Sequence, residues 1–276
     1  MMKARLFLSI LVLTLSISLH AVGNIVFYAD FEPGSKEAKP DAGVNDVKKY
    51  KPENAGTIWA EGDFNGGNLG GKKSMTQTAE GCGISGNTPL PGVDDFTDGI
   101  IQVVFSFGDD DSFGVQFRRK GDDKGYLVVF GYNETSKVIL GDLADGCCPS
   151  GQCLSECGCE NGGKEILGVD HGLGAGLDQT NAVAYLGRVE VKGDNIKVWY
   201  MELAEVKDLF ADSSTLGEPV LESDKATNKS AGAVGVWHES WGNGRIDSIL
   251  VTSAAGFDVD VKDKLTTTWS EIKTAY

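Results

Sequence analysis

The chain has 276 residues and carries 25 Lys and Arg against 40 Asp and Glu, which gives a formal charge of −15 at pH 7. Hydrophobic residues make up 41% of the chain, enough for a folded core, and this excludes wholesale disorder. The acidic balance argues against a nucleic-acid partner, because binding to phosphate groups needs clustered Lys and Arg. Glycine is abundant at 37 residues, so many tight turns are expected.

Residues 1–23 have the three parts of a secretory signal peptide. Lys3 and Arg5 form a short basic region, an apolar run follows, and Ala21 and Gly23 supply small residues before the cut. The alternative is a membrane anchor, but the apolar run of about 14 residues is short for a bilayer span. We therefore expect export to an extracytoplasmic location (periplasm, cell surface or medium) and a mature chain without a membrane span.

Six cysteines agree with export, because disulfides persist in oxidising compartments. They are Cys82, Cys147, Cys148, Cys153, Cys157 and Cys159. Three disulfides are expected, with Cys82 pairing into the cluster, and their connectivity stays open. A metal cluster is the alternative, since Cys157 and Cys159 have chelating spacing. Against it, the cluster holds no His and no two separated C-x2-C motifs. Residues 141–176 therefore indicate a Cys- and Gly-rich insertion in a larger scaffold.

Most of the remaining chain has strand patterns. From Asn24 to Glu32 the sequence alternates, and Ile25, Phe27 and Ala29 share one face with Phe31. Other runs are rich in β-branched or aromatic residues and are bounded by Gly, Asp or Asn. These runs are 100–107, 113–118, 126–132, 137–140, 182–192, 195–201, 232–237 and 245–252.

Turn sequences link several of these runs. Residues 108–112 and 121–125 have turn composition and predict an antiparallel meander over 100–132, and Lys192–Asn195 predicts a hairpin. Helical spacing is present in 203–210, and the tail 254–276 is expected to form a short helix or a flexible end. The pattern predicts an all-β fold over 24–253, a two-sheet antiparallel sandwich or jelly roll.

The order of these segments resembles the concanavalin A-like sandwich superfamily, which includes laminin-G-like, thrombospondin C-terminal-like and laminarinase-type domains. Keto-disaccharide hydrolase-like domains share much of the pattern. The segments that carry the resemblance are DFE at 30–32, DFTDG at 95–99 with the strand after it, DDSFGVQFR at 110–118, DDKGYLVVF at 122–130, VEVKGDNIKVWY at 189–200, AGAVGVW at 231–237 and RIDSILV at 245–251. The resemblance covers most of 24–253 and implies the fold more firmly than a function.

The resemblance also implies a structural calcium ion where the first and last strands meet. Asp30, Glu32 and Asp247 match that arrangement, since Asp30 and Glu32 share a strand face and Asp247 lies in the last strand. Calcium takes about six to eight oxygen ligands, and carboxylates and loop carbonyls supply them. The alternative is that Asp30 and Glu32 face solvent and that Asp247 ends a turn.

A glycine-bounded loop carries the residues most typical of ligand binding. Trp237, His238, Glu239, Trp241 and Asn243 lie close together between two predicted strands. Sugar rings stack on aromatic faces while their hydroxyls need donors and acceptors nearby. The alternative is that Trp237 belongs to the core at a strand end and that Trp241 caps the sandwich edge.

Arg118 and Tyr126 are placed by the predicted hairpin near one sheet surface, where they would line a concave face. Core packing of Tyr126, with Arg118 in an ion pair, explains them equally well.

No catalytic motif accompanies these residues. The Glu-x-Asp-x-x-Glu string of laminarinase-type enzymes and the Gly-x-Ser-x-Gly turn of hydrolases are both absent from the sequence. The sequence therefore predicts an exported, non-catalytic domain that binds a glycan or an extracellular protein. A glycan-cleaving enzyme of the keto-disaccharide hydrolase-like or laminarinase type and a structural extracellular protein remain the alternatives.

Overall fold

The computed structural model describes residues 25–33, 45–53, 56–67, 69–79, 86–108, 112–121, 124–131, 137–143, 164–173, 183–239 and 241–253. The predicted signal peptide, the six cysteines and the tail 254–276 lie outside these ranges, so export, disulfides and a terminal helix stay predictions. In the described residues no helix is long and apolar enough to cross a membrane.

The described part of the chain is built from antiparallel strands. They are β1 Ile25–Ala29, β2 Trp59–Asp63, β3 Lys73–Gln77, β4 Gly86–Pro89, β5 Gly99–Ser106, β6 Phe113–Arg119, β7 Tyr126–Phe130, β8 Lys137–Asp142, β9 Lys164–Asp170, β10 Tyr185–Lys192, β11 Asn195–Glu202, β12 Leu221–Ser223, β13 Ala233–His238 and β14 Arg245–Thr252. Short 3-10 turns form at Val47–Lys49, Leu203–Glu205 and Ser213–Leu216.

These strands form two sheets that pack face to face. Sheet A has the order β12-β11-β10-β5-β14-β3-β2, and β1 also pairs with β14. Sheet B has the order β4-β13-β6-β7-β8-β9. The fold is therefore a two-sheet antiparallel β-sandwich, as the strand pattern predicts.

The predicted meander over 100–132 is wrong in one respect. β5 lies in sheet A and pairs with β10 and β14, whereas β6 and β7 are neighbours in sheet B. The consecutive strands β5 and β6 thus lie in different sheets. Phe105 and Phe113, on these two strands, face each other across the interior with ring centroids 4.5 Å apart. Burying both apolar faces against each other outweighs pairing the strands side by side. The predicted antiparallel pairing of the strands on either side of 121–125, β6 and β7, is confirmed, and so is the Lys192–Asn195 hairpin.

Five strands have no counterpart in the sequence-based prediction. They are β2, β3, β4, β9 and β12. β9 lies within the range 141–176 of the predicted insertion, and its residues 164–170 pair with β8 in sheet B.

The main core lies between the two sheets. Alternating residues of both sheets meet there, and an aromatic group occupies one end of it. Phe105, Phe113 and Trp241 are fully buried, and the Phe113 and Trp241 rings stack at 4.5 Å. Tyr200 stacks on Phe105 at 6.2 Å, and its burial raises the pKa of the Tyr200 hydroxyl well above its ordinary value.

A second apolar layer covers the outer face of sheet A. Leu203, Val206 and Phe210 pack there against outward-facing residues of the sheet such as Val104 and Leu186. The predicted helical segment 203–210 is not an α-helix, since only Leu203–Glu205 forms a 3-10 turn. The spaced apolar residues of this segment cover the outer face of sheet A instead.

Candidate metal centre and the predicted ligand residues

A bulge in β14 places Asp247 where one edge of this strand changes partner. The first two residues of β14 pair with β3, whereas residues 249–252 pair with β1. The register with β5 shifts between Ile246 and Ser248, which leaves Asp247 as the extra residue. Because β1 ends and β3 begins beside it, three chain segments meet at this carboxyl group.

The Asp247 carboxyl group is fully buried and only partly satisfied. Its Oδ1 accepts a hydrogen bond from the Gly71 backbone N–H at 2.5 Å. Its Oδ2 has no hydrogen-bond partner among the described residues. Burial raises the pKa of Asp247 well above its ordinary value, and the charges of Glu32 and Asp30 raise it further, whereas hydrogen bonds from the Gly71 N–H and the Ser248 side chain lower it. A buried carboxyl with an unpaired oxygen is a group that a cation would stabilise.

Glu32 places a second carboxyl group beside the β2–β3 loop, which contains Gly71. Its Oε1 accepts hydrogen bonds from the backbone N–H groups of Lys72 at 2.5 Å and Lys73 at 2.8 Å. A methyl group on Gly71 would overlap Glu32 Oε1 and lie 2.7 Å from Asp247 Oδ1. Both carboxylates therefore lie against Gly71, and a side chain at this position would displace at least one of them.

Asp30 is the third acid of this group, and it is 3% exposed. Its Oδ1 accepts hydrogen bonds from Asn45 Nδ2 at 3.1 Å and from the Glu32 N–H at 3.2 Å. Asn45 Oδ1 in turn accepts from the N–H groups of Asp30 and Phe31. Phe31 adopts a left-handed conformation with φ of 53°. This backbone turn directs Glu32 towards the loop at residues 71–73.

We call Asp30, Glu32 and Asp247 the acidic junction. Its oxygen ligands are of the type that Ca²⁺ prefers, and Asp247 Oδ2 offers a buried acceptor. In the described residues no group of three or more His, Cys, Asp or Glu is already spaced as a metal site. A bound ion would therefore have to draw these carboxylates together and take loop carbonyls or water as further ligands. Metal binding by the three acids stays a prediction.

Sequence reasoning named the three acids of this junction but missed the groups that hold them. Gly71 and Asn45 contribute hydrogen bonds that depend on the β2–β3 loop and on the segment after β1. No sequence motif marks either residue, because their roles arise only when distant segments meet.

The predicted ligand residues near β13 and the loop after it are mostly interior. Trp237 is 5% exposed and packs on the outer face of sheet B with Leu127, Val129 and Ile139. Trp241 is fully buried in the main core, where Gly244 allows its ring to approach the backbone. Both indoles are therefore buried among apolar residues, which agrees with the alternative that Trp237 and Trp241 pack within the protein instead of contacting a ligand. Stacking of either indole on a sugar would require this region to open.

His238 and Glu239 are also enclosed. His238 is fully buried, its Nε2 lies 3.2 Å from Thr57 Oγ1, and its ring packs edge-on against Trp59. Burial lowers the pKa of His238 to about 3, so this imidazole is neutral. The Glu239 N–H donates to Ser112 O at 3.0 Å. Asn243 is exposed and has a left-handed φ of 58°.

Arg118 does not line an open sheet face. The register of β6 with β13 shifts beside it, between Ala233 and Gly235, and Arg118 has a φ of 51° and a side chain that is 1% exposed. The guanidinium donates to Thr97 O at 2.7 Å, Asn228 O at 3.0 Å and Gly193 O at 2.8 Å. It therefore ties together three loops at one end of the sandwich.

Asp98 and Tyr126 complete this end of the sandwich. Asp98 Oδ1 lies 3.2 Å from the Arg118 guanidinium and also accepts from the Gly193 N–H at 2.7 Å. Tyr126 is buried in the core, and its hydroxyl accepts from the Asn228 N–H at 2.7 Å. Tyr126 therefore packs in the core and Arg118 forms an ion pair, which agrees with the alternative to a ligand-binding role.

No protein-family model matches the chain. No curated protein matches it either. Several solved structures are similar. A carbohydrate-binding module, CBM66, from Bacillus subtilis is 13% identical, with 74% of this chain and 96% of that chain covered and a TM-score of 0.38. A Bacillus subtilis protein of unknown function with a galectin-like fold is 10% identical, with coverage of 85% and 98% and a TM-score of 0.49.

The exoplasmic/lumenal domain of VIP36, in a form with Ca²⁺ and Man2 bound, is 11% identical to this chain. The alignment covers 74% of this chain and 84% of that domain, with a TM-score of 0.47. Similarities of this size transfer no residue roles from those proteins to this chain.

Proposed function

We propose that the chain is an exported glycan-binding β-sandwich domain that holds Ca²⁺ at its acidic junction. The observation that carries the calcium site is Asp247 Oδ2, a fully buried carboxylate oxygen with no hydrogen-bond partner among the described residues. Two other carboxylates act on the same group by charge. A divalent cation would offset this repulsion and remove the cost of burying the charge.

The resemblance of the strand segments to concanavalin A-like sandwiches supports a glycan as the class of ligand. The extracytoplasmic location follows from the signal-peptide pattern of residues 1–23. In this proposal Asp247 and Glu32 provide carboxylate ligands and Asp30 provides a third. Bound calcium supplies positive charge that fixes these three groups relative to the β2–β3 loop.

The test combines metal and glycan binding on the purified mature protein. Isothermal titration with CaCl₂ measures the metal, and a glycan array probed with Ca²⁺ and then with EDTA measures the ligand. We expect saturable Ca²⁺ binding that Asp247→Asn abolishes, and array signals that EDTA weakens.

Glu61→Gln is the matched control, because Glu61 is an exposed acid on the neighbouring strand β2 and its change removes the same charge. Equal loss of Ca²⁺ binding in both variants would point to non-specific charge attraction. A folded protein that binds neither Ca²⁺ nor any glycan would overturn the proposal. Release of sugar from an array glycan would favour the enzyme alternative instead.

A further inference from the structure

A cleft of about 470 Å³ opens beside the β2–β3 loop. One wall is formed by Asn65, Gly66, Gly67 and Leu69 of that loop. The opposite wall comes from residues 183–184 before β10, from Glu202 at the end of β11, and from Leu203, Ala204 and Val206 after it. The volume falls within the range of about 300–1,000 Å³ that is usual for small-molecule sites. None of the residues that the sequence named as ligand-binding lines this cleft.

The loop wall is held by its own backbone. The Gly70 N–H donates to Gly66 O at 3.0 Å, and the Phe64 N–H donates to Lys72 O at 2.8 Å. A methyl group on Gly66 would overlap the Gly70 backbone, so these two glycines allow the loop to close tightly. The following residues, 71–73, are those that Asp247 and Glu32 hold. The loop is therefore fixed at both ends.

The opposite wall is equally ordered. The Leu203 N–H donates to Ala184 O at 2.7 Å, and the Val206 N–H donates to Leu203 O at 3.1 Å. Leu203 and Val206 are buried in the layer that covers sheet A, and Leu69 packs against the same layer. Backbone hydrogen bonds thus hold the described residues of both walls, and a ligand would lose little affinity to ordering of these residues.

The lining combines hydrogen-bonding groups with small apolar surfaces. Asn65 offers donors and acceptors, and Glu202 offers a carboxylate acceptor. Leu69 and Val183 provide apolar contacts for the C–H groups of a ring. Glu202 is the charged residue among the described lining residues, and its negative charge disfavours anionic ligands. This chemistry suits a neutral polyhydroxylated ring.

We propose that this cleft is the saccharide subsite of the domain, with neutral sugar residues as its ligands. The inference rests on the proposed function and deepens it, because it names the binding site. Glu202 accepts hydrogen bonds from sugar hydroxyls, Asn65 makes a second polar contact, and Leu69 packs on the ring.

The test is a ¹⁵N–¹H NMR titration of the mature protein in the presence of Ca²⁺. The probes are D-glucose, D-galactose, D-mannose and N-acetyl-D-glucosamine, each alone, with glucose 6-phosphate as the anionic comparator. We expect at least one neutral sugar to shift the amide signals of residues 65–67, 69, 183–184, 202–204 and 206. Glucose 6-phosphate should bind more weakly than glucose.

Glu202→Gln should weaken binding of the responding sugar about 10-fold or more, since a hydrogen bond to a charged acceptor is lost. Glu205→Gln is the matched control, because Glu205 is an exposed acid three residues away and outside this lining. Shifts confined to another surface, no shift with any of the four sugars, or equal affinity in Glu202→Gln would each overturn the cleft assignment. If array binding persists unchanged in Glu202→Gln, the cleft fails while the proposed function stands. If the array is silent as well, both fail.

Discussion

Asp247 and Glu32 hold adjacent backbone N–H groups of one loop. Asp247 Oδ1 accepts from Gly71, and Glu32 Oε1 accepts from Lys72 and Lys73. Glu32 follows the first strand and Asp247 lies in the last, so the paired strands β1 and β14 jointly fix the β2–β3 loop. The same loop supplies one wall of the cleft. Metal binding at the acidic junction would therefore act directly on the geometry of that wall.

The first prediction concerns the effect of calcium on stability. Burial raises the pKa of Asp247, which means that an ionised Asp247 costs folding free energy unless a cation balances it. We expect Ca²⁺ to raise the unfolding midpoint of the wild-type protein. A Ca²⁺ concentration 100 times the Kd adds about 2.7 kcal/mol to the free energy of unfolding.

Asp247→Asn should abolish this calcium response, and thermal unfolding with CaCl₂ or with EDTA measures it. Glu61→Gln should respond as the wild type does. The same midpoint for the wild type in CaCl₂ and in EDTA would contradict the prediction, and so would an undiminished response in Asp247→Asn.

The second prediction concerns Arg118. Its guanidinium satisfies the carbonyl groups of Thr97, Gly193 and Asn228, which belong to three different loops. The Asp98 side chain is 47% exposed, so the ion pair contributes less than these buried hydrogen bonds. Arg118→Met leaves the carbonyls without their donor, and we expect a loss of about 2–4 kcal/mol in the free energy of unfolding.

Urea unfolding measures this loss. Lys229→Ala is the control, because Lys229 forms an exposed ion pair with Asp194 that should contribute about 0–1 kcal/mol. Tyr126→Phe removes the hydroxyl that accepts from the Asn228 N–H, and it should cost about 1 kcal/mol. Equal stability of Arg118→Met and the wild type would show that the three loops are held by other contacts.

The strand pattern predicted most of the fold because alternation and burial coincide in the central strands. β5, β10 and β14 combine inward apolar residues with outward residues that a second apolar layer covers. β2 and β3 were missed because polar residues such as Glu61 and Thr76 leave little apolar alternation near the edge of sheet A. The sheet to which β6 belongs could not be predicted either, since a turn sequence does not distinguish a hairpin from a crossing between sheets.

For the candidate sites, the three acids were grouped by the resemblance to concanavalin A-like sandwiches, which implies a calcium ion where the first and last strands meet. The aromatic loop was harder to interpret. A Trp beside glycines has the same local pattern whether it stacks on a ligand or fills a core. Trp241 is interior because Phe105, Phe107 and Phe113 surround it, and these contacts come from distant strands.

The third prediction concerns acid sensitivity. Burial lowers the pKa of His238 from 6.5 to about 3, so the unfolded chain binds a proton at pH values where the folded protein does not. The contribution of the neutral His238 to the free energy of unfolding is fully present above about pH 6.5, and it is lost as the pH falls towards 3. Each pKa unit corresponds to about 1.4 kcal/mol, so the loss over this interval amounts to a few kcal/mol.

His238→Gln keeps a polar side chain that can bond to Thr57 but cannot be protonated in this range. We expect its free energy of unfolding to fall less steeply than that of the wild type between pH 6.5 and 4. His171→Gln is the control, since His171 is only partly buried. Urea unfolding at a series of pH values measures the slopes. Parallel slopes for the wild type and His238→Gln would show that His238 titrates normally in the folded state.

The fourth prediction separates core packing from ligand contact at Trp241. The indole is fully buried and contacts three phenylalanine rings, so Trp241→Ala should lower the free energy of unfolding by about 3–5 kcal/mol. Trp241→Phe keeps an aromatic ring in the core and should cost less. If Trp241 only packs the core, a folded Trp241→Phe protein should bind glycans with wild-type affinity at a temperature well below its unfolding midpoint. A Trp241→Phe protein with wild-type stability but no glycan binding would instead place this indole in the ligand site and require the loop to open.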